Sequence, residues 1–187
     1  SGSFIFINNY ERTGYGLRPT MPPKTEVRLE LKVNGSVPIA VPSAKSDALT
    51  IPSDVWAVWP CDLALLGSER LAYATAQLVA RVAAGGSEVL FLVETEGVQA
   101  EVAFTGAVTA EPGKATVTTE GHLSVFRKIS AGTAAFASLK SGAGTLQIVL
   151  LPASMAVSVW LQTLDGAERL FVTDATTTPD VLLMADN

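Results

Sequence analysis

Apolar and polar residues alternate with a period of two along much of this chain. The alternation is clearest at Glu26–Val33, where charged and apolar residues exchange places for eight positions. Successive side chains of a strand point to opposite faces, so this pattern predicts a strand with one buried and one exposed face. Asn34-Gly35 follows and favours a two-residue turn, with Val37–Val41 as the return strand of a hairpin.

Similar patterns predict strands throughout the chain. The clearest of them are Glu88–Val93, Val98–Phe104, Ala115–Thr119, His122–Ile129, Thr145–Leu151 and Ala167–Asp174. The alanine-rich stretch Leu71–Ala84 is also interpreted as strand, because its surroundings are β. About fourteen short strands at this spacing are typical of a sandwich.

One segment predicts a helix instead. Pro152 opens the stretch 152–161, and proline is favoured in the first helical turn. Met155, Val159 and Trp160 would share one face, which predicts about two turns with Trp160 packed on a sheet. The predicted fold is therefore all-β: a large antiparallel β-sandwich with one short helix near 152–161. No linker divides the chain, so residues 1–187 are interpreted as a single domain.

Composition narrows the possible partners. Hydrophobic residues make up 48% of the chain, which allows a sizeable core, and the net charge of −5 with no basic patch argues against nucleic acid. The longest apolar stretch, Leu146–Leu161, is interrupted by Pro152 and is shorter than the roughly 20 residues of a membrane-spanning helix. We expect neither a nucleic-acid nor a membrane partner.

Candidate catalytic chemistry is sparse. The chain has one histidine, His122, and one cysteine, Cys61, which is too few for a catalytic triad or a zinc cluster. Two pairs of polar side chains lie two positions apart and would share a strand face: Glu94 with Glu96, and Gln99 with Glu101. Such pairs are typical of the solvated side of a strand. The sequence therefore predicts no catalytic residue, no metal site and no cofactor.

Three aromatic residues could stack on sugar rings: Trp56, Trp59 and Tyr73. The two tryptophans are three positions apart, so in a strand they would face opposite sides. At most one of them could join a binding platform, and the other would belong to the core.

The order of short motifs resembles the β-rich domain that follows the catalytic barrel in bacterial β-galactosidases of glycoside hydrolase family 35. The stretches that carry the resemblance are Phe4–Arg12 ("FxFxNNYxR"), Ile51–Asp54 with Trp59–Leu63, Leu71–Gln77 ("LxYATAQ"), Gly97–Phe104 and Ile148–Ala156. They span most of the chain in the family's order.

The resemblance implies an accessory domain, not an enzyme. In that family the acid and the nucleophile are glutamates on a (β/α)8 barrel, and a barrel needs roughly 250 residues. We expect this chain to be a non-catalytic fragment of a larger multidomain glycosidase, with the barrel of the same polypeptide as its partner. The barrel would precede the strand that begins near Phe4. The alternatives are a carbohydrate-binding module and a purely structural interaction domain.

Overall fold

A computed structural model describes residues 2–9, 24–32, 38–84, 87–106, 108–142, 144–164 and 167–172. Nearly all of the regular structure in these ranges is β. The strands are β1 (Ser3–Asn8), β2 (Thr25–Val27), β3 (Leu29–Leu31), β4 (Ile39–Val41), β5 (Leu49–Ile51), β6 (Trp56–Ala64), β7 (Arg70–Ala74), β8 (Ala76–Ala84), β9 (Ser87–Glu94), β10 (Val102–Thr105), β11 (Thr109–Ala110), β12 (Thr116–Glu120), β13 (Leu123–Arg127), β14 (Ala135–Ser141), β15 (Gly144–Leu151), β16 (Val159–Leu164) and β17 (Ala167–Val172). No helix in these ranges is long and apolar enough to cross a membrane.

Two sheets pack face to face. One has six strands in the order β1-β6-β7-β10-β13-β12, and the other has five in the order β11-β14-β15-β9-β8. Their shared core contains Leu71, Val102, Phe104 and Phe126 from the first sheet and Leu90, Leu146, Ile148 and Leu150 from the second. Phe104 and Phe126 meet edge to face, with ring centroids 5.3 Å apart. The predicted all-β sandwich is confirmed.

The six-stranded sheet is also covered on its outer face. Two small antiparallel pairs, β2 with β5 and β3 with β4, lie over it. They enclose a second core that includes Trp59, Tyr73 and Val125 of the sheet and Leu49 and Ile51 of β5. Side chains on both faces of β7 and β10 are therefore buried, and this second layer positions the candidate site.

One strand pair departs from the predicted antiparallel arrangement. β9 and β15 run parallel, with Leu90 beside Ile148 and Leu92 beside Leu150. A parallel pair needs a crossover connection, and here strands of the opposite sheet supply it. Both strands consist of nearly continuous apolar runs because each is covered on both faces.

The prediction for 152–161 is largely wrong. The helix is a single 3-10 turn, Ala153–Met155, without a side-chain N-cap, and Trp160 belongs to β16. The β-branched Val157 and Val159 follow the turn at once, and residues of this type favour a strand. Met155 and Val159 still pack on the outer face of the five-stranded sheet.

Two predicted strands are shorter than their alternation suggests. Glu26–Val33 divides at Arg28 into β2 and β3, which pair with β5 and β4 respectively. The hairpin pairing of β3 with β4 is confirmed, whereas Asn34-Gly35 lies outside the described residues. In Val98–Phe104, only the part from Val102 onward is strand.

The turn before β10 depends on Gly97. Its φ is +71°, and a Cβ atom there would lie 2.6 Å from Cγ of Pro52. A positive φ favours glycine, and the contact with the proline ring leaves no room for a side chain.

We predict that Gly97→Ala lowers the free energy of unfolding by about 2–4 kcal/mol, the sum of backbone strain and overpacking. Gly113→Ala is the matched control, since Gly113 has φ +69° but nothing within 4 Å of the place that a Cβ atom would take. It should cost about 1–2 kcal/mol. Urea unfolding measures both, and equal losses would show that Pro52 accommodates the methyl group.

Candidate functional site

Glu101 is buried, although the sequence pattern placed it on a solvated strand face. Its side chain is only 5% exposed. Oε1 accepts hydrogen bonds from the backbone N–H of Ser43, at 2.7 Å, and from the hydroxyl of Tyr73, at 2.5 Å. Oε2 accepts from Nε of Arg127, at 2.8 Å, and from the hydroxyl of Ser46. A buried carboxylate requires such partners, and both of its oxygens are fully used.

Arg127 is the cation of this cluster. Val102 pairs with Phe126 in the β10–β13 ladder, and the same register places Glu101 opposite Arg127. Nη2 of Arg127 donates to a second carboxylate, Oε1 of Glu120. The guanidinium thus joins two carboxylates, both on the face of the sheet that the small strand pairs cover.

Three hydroxyl groups connect the guanidinium to the carboxylates. Ser46 accepts from Arg127 and donates to Glu101. Ser43 and Thr118 accept from Arg127 and donate to Oε1 of Glu120, at 3.2 and 3.3 Å. Each hydroxyl acts once as acceptor and once as donor, so its hydrogen-bonding capacity is consistent with both partners.

The cluster shifts the ionisation of its members. Burial and the hydrogen bond to Glu101 raise the pKa of Tyr73, which therefore remains a donor. Burial alone would raise the pKa of Glu120, but the hydrogen bond and the charge of Arg127 outweigh it and lower that pKa. Burial disfavours the charged form of Arg127 and would by itself lower its pKa. The hydrogen bonds and charges of the two carboxylates outweigh burial and raise that pKa.

The cluster anchors the loop between β4 and β5. Ser43 and Ser46 belong to this loop, and the N–H of Ser46 donates to the carbonyl of Ser43 at 2.9 Å. Arg28 holds the same turn from outside, donating to the carbonyls of Ser43 and Ser46 at 3.1 and 2.7 Å. Two arginines and the two carboxylates therefore fix the loop between its short strands.

A polar cleft of about 440 Å³ opens beside the anchored loop. The loop, with Lys45 and Asp47, forms one wall, and the segment 97–101, with Gln99, forms another. Arg127 and Lys128 line it where β13 ends. Lys128 has φ +49°, a left-handed conformation that is uncommon for a residue other than glycine.

The geometry of the cluster does not suit acid–base catalysis. A general base needs a lone pair free to accept a proton, and all acceptor positions of Glu101 are occupied. Glu101 and Glu120 share one guanidinium, whereas glycosidase carboxylates flank the sugar between them. The cluster is suited to holding the loop on the sheet.

Of the three aromatic candidates, only Trp56 is accessible. Its side chain is 68% exposed, whereas Trp59 and Tyr73 are both fully buried. The indole N–H of Trp59 donates to the hydroxyl of Thr95, and the hydroxyl of Tyr73 binds Glu101. The predicted opposite facing of the two tryptophans is confirmed. Trp59 and Tyr73 are core residues, which corrects their assignment as stacking candidates.

Trp56 belongs to an exposed apolar surface, the edge patch, formed by Phe4, Phe6, Trp56 and Val58. In the antiparallel β1–β6 pair, Phe6 lies opposite Val58, and Trp56 is diagonal to Phe6. Phe4 is 48% exposed and Phe6 is 78% exposed. Large apolar side chains grouped in this way mark interaction surfaces.

The remaining candidates carry no catalytic arrangement. Cys61 is buried, and burial together with the neighbouring Asp62 raises its pKa, which keeps the thiol protonated. His122 lies exposed in the turn between β12 and β13. Within the part of the chain that the structure describes, no group of three or more His, Cys, Asp or Glu residues could hold a metal ion.

Sequence reasoning did not find Arg127, Glu120, Ser43 and Ser46. A signal was present in Glu101 and Arg127, two opposite charges beside apolar strand residues. Their pairing depends on the β10–β13 register, which alternation alone does not give.

Comparison with family models and curated sequences gives no match for this chain. Its function is therefore inferred from the geometry of the cluster, the cleft and the edge patch, together with the order of its motifs.

We predict that Glu101→Gln lowers the free energy of unfolding by about 3–5 kcal/mol, because Arg127 loses the more deeply buried of its two charge partners. Glu88→Gln is the matched control. Glu88 pairs with Arg81 at 2.6 Å, but these side chains are 27% and 33% exposed, so the loss should stay below about 1 kcal/mol. Chemical denaturation measures both, and similar losses would contradict the anchoring role.

Glu120 should make the folded state sensitive to acid. Because its folded pKa is lowered, its stabilisation is complete above the unfolded-chain value of about 4.3 and is lost as pH falls through the folded pKa. Glu120→Gln removes this contribution. Unfolding measured from neutral pH into the acid range should show a steeper loss for the wild type than for the variant, and parallel curves would refute the prediction.

Proposed function

We propose that this chain is a non-catalytic accessory domain of a β-galactosidase-like glycoside hydrolase, which supports the catalytic barrel of the same polypeptide and the rim of its substrate cleft. The observation that carries the proposal is the edge patch. Phe4, Phe6 and Trp56 expose large apolar side chains on one face of neighbouring strands. A second domain that covered them would remove this surface from water.

The motif order supports the same assignment. Phe4 and Phe6 belong to the stretch Phe4–Arg12, which resembles the family's "FxFxNNYxR" just past the barrel. Residues at that point of the chain are well placed to contact a preceding domain. The bonding of Glu101 and Glu120 supports a role without catalysis, since both carboxylates are engaged by Arg127.

Carbohydrate binding is a second candidate, favoured by the exposure of Trp56. Its indole lies on an open sheet face beside Phe6, where a sugar ring could stack. Titration of tryptophan fluorescence with galactosides distinguishes the two. A saturable shift that is lost in Trp56→Ser favours sugar binding, and no shift at millimolar sugar favours docking.

The purified chain should not turn over a chromogenic β-galactoside above the rate of buffer alone. The reason is that Glu101 and Glu120 share one guanidinium and leave no gap for a sugar between them. Turnover at enzyme-like rates that Glu101→Gln abolishes would overturn the non-catalytic assignment.

The edge patch should cause the isolated chain to self-associate as its concentration rises, since burying apolar area is favourable. The double variant Phe6→Ser/Trp56→Ser should remain monomeric over the same range. Sedimentation velocity or light scattering measures this.

The matched control is Val157→Ser/Leu161→Ser, which removes side chains that are 70% and 49% exposed but lie outside the edge patch. It should self-associate like the wild type. A wild-type chain that stays monomeric, or a patch variant that associates equally well, would contradict a docking role for this surface.

A further inference from the structure

The polar cleft beside the anchored loop has a fixed frame. Arg28 and Arg127 hold the wall that carries Lys45 and Asp47 through the hydrogen bonds described above. The carbonyl of Gln99, on the other wall, accepts from the hydroxyl of Thr75 at 3.0 Å. A pre-formed cleft of about 440 Å³ is of the size that small-molecule sites have.

The rim of this cleft carries three charged side chains that take no part in the ion pairs of the described residues. Within the described ranges, none of Lys45, Lys128 and Asp47 forms an ion pair. Arg127, in contrast, is neutralised by Glu101 and Glu120. The rim therefore offers two free ammonium groups and one free carboxylate, on a chain whose net charge is −5.

Lys128 is held at the rim by an uncommon backbone conformation. It follows Arg127 directly and has φ +49°. A non-glycine residue in this region is strained, and such strain gathers at binding and functional sites. The strained residue therefore brings the second free ammonium to the cleft that Lys45 also lines.

We propose that this cleft binds a small sugar acid, with the carboxylate between Lys45 and Lys128 and the hydroxyl groups at Asp47 and Gln99. Ammonium groups bind a carboxylate with charge-assisted hydrogen bonds. Asp47 repels any anion, but it accepts hydrogen bonds from the hydroxyl groups of a sugar acid, which offset that repulsion. A simple oxyanion lacks this compensation and fits less well. No aromatic side chain lines the cleft among the described residues, so recognition there depends on charge and hydrogen bonds.

This site is independent of the accessory role proposed above. The cleft lies on the face of the six-stranded sheet that the small strand pairs cover, and the edge patch lies on the other face. Trp56 and Phe6 take no part in it. Failure of one proposal therefore leaves the other unaffected.

The proposal is tested by titrating the 187-residue chain with D-glucuronate, D-glucose and inorganic phosphate. Binding is measured by calorimetry or by the NMR shifts of Lys45, Asp47 and Lys128. Glucuronate should bind saturably, with these residues responding. Glucose, which lacks the carboxylate, and phosphate, which lacks the hydroxyl pattern, should each bind at least about fivefold more weakly. Phosphate binding as tightly as glucuronate would overturn the sugar-acid assignment, and so would no saturable binding of glucuronate.

Charge variants locate the site. Lys45→Met/Lys128→Met should weaken glucuronate binding at least about fivefold, whereas the control Lys24→Met/Lys140→Met, with the same charge change at exposed positions away from the cleft, should not. Asp47→Ala should weaken glucuronate and strengthen phosphate, because it removes both a hydroxyl acceptor and a repelling charge. Equal affinities in the two double variants, or tighter glucuronate binding in Asp47→Ala, would overturn the proposal.

Discussion

The buried carboxylate of Glu101 is the constraint on which the arrangement around the outer layer depends. Taking a carboxylate out of water is costly unless each oxygen finds donors. The donors come from separate parts of the chain: Tyr73 on β7, Arg127 on β13, and Ser43 and Ser46 in the loop after β4. One charge therefore requires the loop to sit on the sheet. The strands at the two ends of the loop, β4 and β5, contribute Val41, Leu49 and Ile51 to the second core.

The fold class could be predicted from the sequence because its signals are local. Alternation at Ala115–Thr119 and the apolar run of Glu88–Val93 each became a strand, β12 and β9. The division of Glu26–Val33 at Arg28 could not be predicted, because it depends on two partner strands that lie later in the chain. The prediction of a short helix was wrong for a local reason. Two β-branched valines, which favour a strand, follow a single 3-10 turn.

The site could not be predicted because alternation assigns residues to a face without saying what covers it. On this ground the alternation predicts a solvated Glu101. Its face is in fact covered by strands formed from residues 25–51, distant in sequence. The same cover buries Tyr73, whereas Trp56, at the start of β6, points to the other face of the sheet and is exposed. Whether these side chains are buried or exposed therefore depends more on packing by strands distant in the sequence than on residue type.

Glu101 locks the loop onto the sheet, and hydrogen exchange at the backbone N–H of Ser43 tests this role most directly. This amide donates to Glu101 and not to a strand partner. We expect it to exchange only through global unfolding, with protection equal to that of amides in β10. Exchange as fast as that of an exposed loop amide, in a chain whose sheet remains protected, would contradict the claim.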